Sequence, residues 1–146
     1  MNYGSQSTSL DIGYRWYQAN GVTPLFAFGY GLSYSSFKLS DPTLSKAPAG
    51  VTVNLTVTNE GSRKGANVVQ VYVTYPRSAG EPPEQLRGFV RVVLSPSSSR
   101  DVSLVIPPSG FQISRNGSFT TVPGNYGINI GQSSANLPLH LHVSLP

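Results

Sequence analysis

Residues 51–58 read VTVNLTVT, and this stretch decides the fold class. Apolar and polar side chains alternate without interruption over eight positions, which is the period of a β-strand with one buried face. Asn59-Glu60-Gly61-Ser62 follows and has the composition of a turn. The stretch therefore predicts a strand that places four apolar side chains in a core, namely Val51, Val53, Leu55 and Val57.

The same pattern recurs along the rest of the chain, where short alternating segments are separated by Gly, Pro, Asn and Ser. A further turn is predicted at Asn116-Gly117, flanked by 111–114 and 119–122. No segment holds a helical period, and the prolines and glycines interrupt any attempt at one. We predict an all-β antiparallel sandwich of about seven or eight strands, with main strands at 34–39, 51–58, 68–75, 85–94, 102–106, 126–130 and 139–143.

Composition limits the functions that the chain can have. Its 146 residues are the length of one ordinary domain, and only 11% are charged. The absence of cysteine excludes disulfides and thiolate chemistry. The net charge of +4 is scattered, so we predict no nucleic-acid partner, and no apolar run approaches membrane length, so we predict no membrane partner. We also predict no signal peptide within the first residues given.

Residues 10–32 differ in kind from the rest, because they are rich in aromatic residues and glycine but lack a period. We interpret them as an irregular, extended arm that lies on a surface. The predicted organisation is a flexible N-terminus at 1–9, this arm at 10–32, and a β-sandwich at 33–146. The arm carries six aromatic side chains as candidate contact residues, namely Tyr14, Trp16, Tyr17, Phe26, Phe28 and Tyr30.

Several spaced motifs carry a resemblance to a known family. YRWY at 14–17 is followed by TPLFAFGYGLSY at 23–34, and PPEQLRGF stands at 82–89. VTNEG at 57–61 and PGNY at 123–126 agree with them. From about Leu10 onward the chain resembles the C-terminal fibronectin type III-like domain of glycoside hydrolase family three, which contains β-glucosidases and β-xylosidases. The resemblance implies an immunoglobulin-like or fibronectin type III-like sandwich.

The resemblance also implies what the chain does not do. In that family a barrel domain supplies the Asp nucleophile, and a following α/β domain usually supplies the acid/base. The fibronectin-like domain is generally taken to be structural. We therefore expect a non-catalytic accessory domain that stabilises or positions catalytic domains, needs no cofactor, and acts in an extracellular or periplasmic location.

The residues themselves offer weak candidates for catalysis or metal binding. Glu81 and Glu84 are the closest pair of acids, but their Pro-rich loop shows no apolar wall that would raise a pKa, so we interpret them as solvated charges. His140 and His142 share one face of a predicted strand without an evident third ligand. We predict no catalytic residue and no metal site.

Three functions remain open for this chain, two of which use the arm. Its rings can pack on the sandwich or on catalytic domains, and with that partner absent they can cause weak self-association. Alternatively, the chain is a stand-alone binding module whose rings stack on an insoluble plant-wall polysaccharide or on lignin. A third possibility is a protein-interaction module that uses exposed strand edges and loops.

Four further residues have predicted roles. Asn54 and Asn116 stand in N-x-Ser/Thr sequences and are possible N-glycosylation sites. Tyr126 occupies the position of a tyrosine corner, where the hydroxyl binds the preceding loop and stabilises the fold. Arg87 is expected to anchor loop carbonyls, and a bulge is expected near Gly88.

Overall fold

The strands of the protein are arranged as two packed sheets and one hairpin. A computed structural model describes residues 10–146. Two short 3-10 helices, Arg77–Ala79 and Pro108–Phe111, lie in loops. The regular elements are α1 (Tyr14–Ala19), β1 (Phe37–Ala47), β2 (Gly50–Asn59), β3 (Gly65–Thr74), β4 (Gln85–Leu94), β5 (Ser99–Ile106), β6 (Gln112–Arg115), β7 (Ser118–Thr121), β8 (Gly124–Gly131) and β9 (Leu139–Leu145).

Seven strands form the two sheets of a sandwich. One sheet has the order β1-β2-β5 and the other has the order β4-β3-β8-β9, and all neighbouring strands are antiparallel. The remaining two strands, β6 and β7, form a separate hairpin around the Asn116-Gly117 turn. Both turn residues have positive φ, 52° and 76°, as a type I′ turn requires. The predicted antiparallel sandwich is confirmed.

The core lies between the facing sides of the two sheets. β2 alternates as predicted, with Val53 and Val57 fully buried. β3 contributes Val69, Val71 and Val73 from the opposite sheet. Each buried Val, Leu or Ile side chain stabilises the folded state by about 1.5–3 kcal/mol relative to exposure, so this interior is the main source of stability.

The first strand corrects the sequence prediction. We predicted a strand at 34–39, but β1 begins at Phe37 and continues to Ala47. A bulge between Ser40 and Thr43 absorbs Pro42, and Asp41 adopts a φ of 53°. Asp tolerates this left-handed conformation, and β1 is an edge strand, where a bulge with proline costs least.

A second bulge agrees with the prediction near Gly88. The register of β3 with β4 shifts where Val71 pairs with Gly88 and Tyr72 pairs with Leu86, so Arg87 is the extra residue. The shift keeps Val92 and Leu94 in the core.

The arm is more ordered than predicted. We expected no regular structure, but residues 14–19 form the short helix α1, and residues 20–36 follow without helix or strand. The helix begins after Gly13 with no side-chain cap, so no capping signal in the sequence announces it. Packing of its residues on the sandwich supplies the stability that six residues lack alone. The predicted flexible segment 1–9 lies outside the described residues.

The arm covers the outer side of the β4-β3-β8-β9 sheet around the middle of β3, where Tyr14 meets Tyr72 and Gly29 meets Gln70. These two β3 residues point away from the core, yet Gln70 is 4% exposed and Tyr72 is 0% exposed. In residues 10–146 no helix is long and apolar enough to cross a membrane.

Candidate functional site

The arm is fixed to the sandwich by Tyr14. Its hydroxyl oxygen accepts a hydrogen bond from the Leu86 amide at 2.8 Å, beside the bulge of the edge strand β4. Its ring stacks on Phe28 at 4.8 Å between centroids and meets the edge of Tyr72 at 5.8 Å. Burial raises the pKa of the Tyr72 hydroxyl well above its usual value, with smaller contributions from Tyr14 and Glu84. Tyr14 thus joins both ends of the arm to the sheet.

A second anchor surrounds the buried side chain of Gln70. Its Nε2 donates to the Gly29 carbonyl at 3.1 Å and to the Gln132 carbonyl at 2.8 Å, while its Oε1 accepts from the Tyr72 hydroxyl at 2.7 Å. Gly29 has a φ of 77°, and a Cβ at this position would overlap the Gln70 carboxamide. Glycine is therefore required where the arm crosses β3.

A third anchor is the carboxylate of Glu84. Gln18 of α1 donates from Nε2 to Oε2 at 2.9 Å, and Asn129 of β8 donates to Oε1. Asn129 also bonds Thr74 and the Nδ1 of His140. Burial under the arm raises the pKa of Glu84, and the bonds from Asn129 and Gln18 oppose that rise.

Glu84 therefore corrects an expectation from the sequence. We interpreted Glu81 and Glu84 as solvated loop charges without an apolar wall, but Glu84 is partly buried and its carboxylate is bound by Gln18 of α1 and by Asn129. The two acids bind different partners, because Glu81 accepts from Gln85 whereas Glu84 joins α1 to β8. Their arrangement is that of separate structural contacts rather than of an acid pair at a sugar pocket.

The opposite side of the arm exposes apolar side chains. Leu25 and Leu32 are each 91% exposed, and Tyr34 is 90% exposed. Phe26 and Tyr30 are exposed as well, with ring centroids 5.9 Å apart. We call these five residues the arm face. No residue from 16 to 36 is charged, so the segment that carries the arm face has no charge of its own.

The six aromatic candidates divide between the two sides. Tyr14 and Phe28 stack on each other at the sheet, although Phe28 keeps 47% of its surface exposed. Trp16 and Tyr17 form an edge-to-face pair on α1 and are partly exposed. The remaining two belong to the arm face. One part of the arm therefore packs on the sandwich, and the other part is exposed.

The other candidate residues lie apart from the arm face. The hydroxyl of Tyr126 donates to the Val122 carbonyl at 2.7 Å, the geometry of a tyrosine corner. Arg87 differs from its prediction, because its contacts are with side chains rather than with loop carbonyls. Its guanidinium donates to Oε1 of Gln85 at 2.7 Å and lies over the Tyr75 ring at 5.5 Å from the ring centroid. Asn54 lies on β2, facing away from the core, and Asn116 lies in the β6–β7 turn.

The histidines do not form a metal site with other residues. His140 bonds Asn129, and within residues 10–146 no group of three or more His, Cys, Asp or Glu residues could hold a metal ion. Sequence reasoning missed the polar residues that hold this region together, above all Gln18, Gln70 and Gln132. They share no motif, and only the fold shows their contacts.

Comparison with known proteins agrees with this architecture. Residues 67–134 match the family model for the fibronectin type III-like domain. The chain carries a fibronectin type III-like domain. It is 43% identical over 112 residues to probable β-glucosidase J of Aspergillus fumigatus, an alignment that covers 69% of this chain and 13% of the relative. With probable β-glucosidase G of Aspergillus flavus it shares 37% identity over 161 aligned positions, covering 88% of this chain and 19% of the relative.

Solved structures of β-glucosidases also superpose on this chain. The β-D-glucoside glucohydrolase of Trichoderma reesei superposes with a TM-score of 0.90 at 30% identity, covering 100% of this chain and 24% of that one. DesR, a β-glucosidase from Streptomyces venezuelae, superposes with a TM-score of 0.89 at 33% identity, covering 93% of this chain and 18% of that one. These matches confirm the resemblance to the domain of family-three β-glucosidases.

The alignments show how much of each relative the fibronectin type III-like domain matches. The chain spans 13–19% of the length of the curated relatives named above. The expectation that these 146 residues lack the family's catalytic domains is confirmed by this coverage. The relationship is to a small part of such enzymes.

Proposed function

We propose that this domain stabilises and positions the catalytic domains of a β-glucosidase-type glycosidase by docking on them through the arm face. The observation that carries the proposal is the two-sided arm, whose inner side is fixed by hydrogen bonds while its outer side exposes five apolar side chains. An exposed apolar group of this kind marks an interaction site. The absence of charge from 16 to 36 suits the desolvated centre of an interface.

The chain length of the relatives supports the proposal that catalytic domains are the partner. Their chains are several times longer than the region that matches, so a large neighbouring surface exists in them. Burying an exposed Leu or Phe side chain contributes about 1.5–3 kcal/mol, and three such residues would already hold a domain in place.

A chimera of the Trichoderma reesei enzyme tests the proposal. The part of the enzyme that superposes on this chain is replaced by the chain, and the half-life of β-glucosidase activity at elevated temperature is measured. In the chimera, Leu25→Ser with Leu32→Ser is expected to shorten the half-life severalfold, because the apolar contact with the catalytic domains is lost. In the isolated domain the same pair should leave the melting temperature unchanged, because both side chains are 91% exposed.

Phe119→Ser is the matched control, since Phe119 is a 76% exposed apolar residue on the β6–β7 hairpin, away from the arm. Equal half-lives of the paired variant and the control would refute docking through the arm face. The isolated domain should also self-associate weakly at high concentration, and sedimentation should show this association weakened by the paired substitution.

A polymer-binding module is the second candidate, favoured by the exposure of Trp16, Phe26 and Tyr30. Depletion of the isolated domain by insoluble cellulose, xylan or lignin, abolished by Trp16→Ala, would support this function instead. Salt sensitivity would assign the binding to charge, and salt resistance to stacking. The proposed extracellular or periplasmic location rests on the family resemblance and is tested by comparing culture medium with cells of the natural host.

A further inference from the structure

Strand β5 is an edge of the β1-β2-β5 sheet, and its outer row of backbone groups has no partner in residues 10–146. The Asn59 amide donates to the Ser98 carbonyl at 2.9 Å, which sets the phase of the ladder between β2 and β5. Because hydrogen-bonded pairs alternate along an antiparallel ladder, the even-numbered residues from 100 to 106 bond β2. The amides and carbonyls of the odd-numbered residues from 101 to 105 therefore point outward.

The other three edges of the two sandwich sheets are protected, whereas β5 is not. β1 contains a bulge with Pro42, which has no N–H to donate. β4 contains the second bulge, and its Leu86 amide already donates to the Tyr14 hydroxyl. On β9, the ammonium group of Lys46 donates to the Ser144 carbonyl at 3.2 Å. β5 has an unbroken register with β2 and contains neither proline nor glycine, so it can pair with a further strand.

A groove of about 410 Å³ lies beside this edge, between β5 and the edge strand β4 of the other sheet. Leu104 and Val105 line it from β5, and Phe89 lines it from β4. Phe89 is 68% exposed. Side chains of a strand alternate between its two faces, so one set of side chains of an added strand would lie over the groove. Apolar residues in that set would gain buried contact there.

The charge on this side of the sandwich favours an acidic partner. Residues 85–106 contain three arginines but a single acid, Asp101, whose carboxylate accepts a hydrogen bond from β2 at 2.7 Å. Arg91 and Arg100 are exposed. Arg87 lines the groove, and its guanidinium meets an amide oxygen and an aromatic ring rather than a carboxylate. A second copy of this chain would add the same arginines, and like charges across a ladder are destabilising.

We propose that the free edge of β5 accepts an extended, acidic segment of another protein as an added strand. Backbone hydrogen bonds to the odd-numbered residues from 101 to 105 would supply the affinity, and carboxylates beside the arginines would supply the selectivity. β5 belongs to the sheet that the arm does not cover, so this surface is separate from the arm face. Binding at β5 can therefore be tested on this chain alone, whether or not the arm face docks on catalytic domains.

Capped heptapeptides of alternating valine and threonine, with one glutamate placed at each position in turn, test the proposal. They are titrated into the isotope-labelled chain, and amide NMR shifts are followed. We expect saturable shifts centred on residues 99–106, with a Kd of about 1 mM for the best peptide. Replacing its glutamate by glutamine should weaken binding severalfold. N-methylation of the alternate amides that face β5 should abolish binding, whereas methylation of the other alternate set should not.

Substitutions in the chain locate the site. Ser103→Pro should abolish binding, because it removes an outward N–H without removing a bond to β2, and a dispersed amide spectrum shows that this variant is folded. Ser103→Ala is the matched control, since it keeps the N–H and should bind as the wild type does. Arg87→Gln should reduce the preference for glutamate over glutamine. Arg115→Gln, the same change of charge on the β6–β7 hairpin, should leave that preference intact.

Four outcomes would each contradict the proposal. Without saturable shifts for any of the heptapeptides, β5 does not accept an added strand. Equal binding of the two methylated peptides would show that no ladder forms. Equal binding of the glutamate and glutamine peptides would remove the selection for acidic segments. Shifts at residues 99–106 that depend on the concentration of the chain and not on peptide would make a second copy the occupant of the edge.

Discussion

The substitution Tyr126→Phe removes one buried hydroxyl and nothing else. Tyr126 is fully buried in β8, and its ring meets Tyr75 and Phe111 edge-on, each at 5.5 Å between centroids. Its hydroxyl donates to the Val122 carbonyl at 2.7 Å, with the Phe111 carbonyl at 3.4 Å. Phenylalanine keeps the ring contacts, so the change isolates the hydrogen bond that ties β8 to the preceding loop.

The size of the effect follows from the burial of both partners. Val122 is only 7% exposed, so water cannot readily replace the lost donor. Leaving a buried acceptor without its partner costs about 1–3 kcal/mol. For a domain of this length, each kcal/mol lowers the melting temperature by about 2–4 °C, so we expect a decrease of about 2–12 °C.

Urea unfolding measures this change, with the midpoint decreasing and the m value constant. Tyr34→Phe is the matched control, because Tyr34 is 90% exposed, and the same chemical change there should alter stability by less than about 0.5 kcal/mol. If both variants unfold at the same urea concentration, the hydroxyl of Tyr126 does not stabilise the fold and the tyrosine-corner assignment is wrong.

Three further substitutions test the arm and the hairpin. The pKa of Glu84 is raised in the folded state, so its contribution to stability is fully present below the unfolded pKa and is lost as pH rises through the folded pKa. Relative to Glu84→Gln, the wild type should therefore gain stability in urea unfolding as pH falls from about 7 to 4.5. The same dependence of unfolding free energy on pH in both proteins would contradict this. Gly29→Ala should loosen the arm and speed limited proteolysis within it, because a Cβ would overlap Gln70, whereas Gly31→Ala, with no atom within 4 Å of its Cβ, should not. Gly117→Val should lower stability by about 1 kcal/mol or more in thermal unfolding, because a β-branched residue is strained at a φ of 76°; an unchanged melting temperature would show that the turn can rearrange.

Strands with one buried face could be read from the sequence. In β2 the alternation is unbroken because one side packs in the core and the other faces away from it, so the pattern records the structure directly. β4 was predicted with its observed bounds, and its bulge was placed within one residue. In β1 the prediction was wrong, because Asp41-Pro42 has the composition of a turn and only the pairing with β2 shows that the strand continues through a bulge.

The structure of the arm could not be predicted, because its contacts have no period. Gln18 bonds the Ser134 carbonyl and Gln70 bonds the Gln132 carbonyl, and the partners of each pair lie far apart in the sequence. The helix α1 lacks a capping residue and is shorter than any reliable periodic pattern. For the same reason Glu84 was placed in solvent, since Gln18 and Asn129, which bind its carboxylate, lie 66 and 45 residues away in the sequence.

The anchors of the arm change how its exposed face should be understood. A free aromatic linker would lose conformational entropy when it docks, which would weaken its binding. Here Tyr14 and Gln70 hold the backbone against the sheet before any partner arrives, so little of that loss remains to occur on docking. The polar inner side therefore supports the apolar outer side, because its hydrogen bonds to the sandwich fix the position of the arm face.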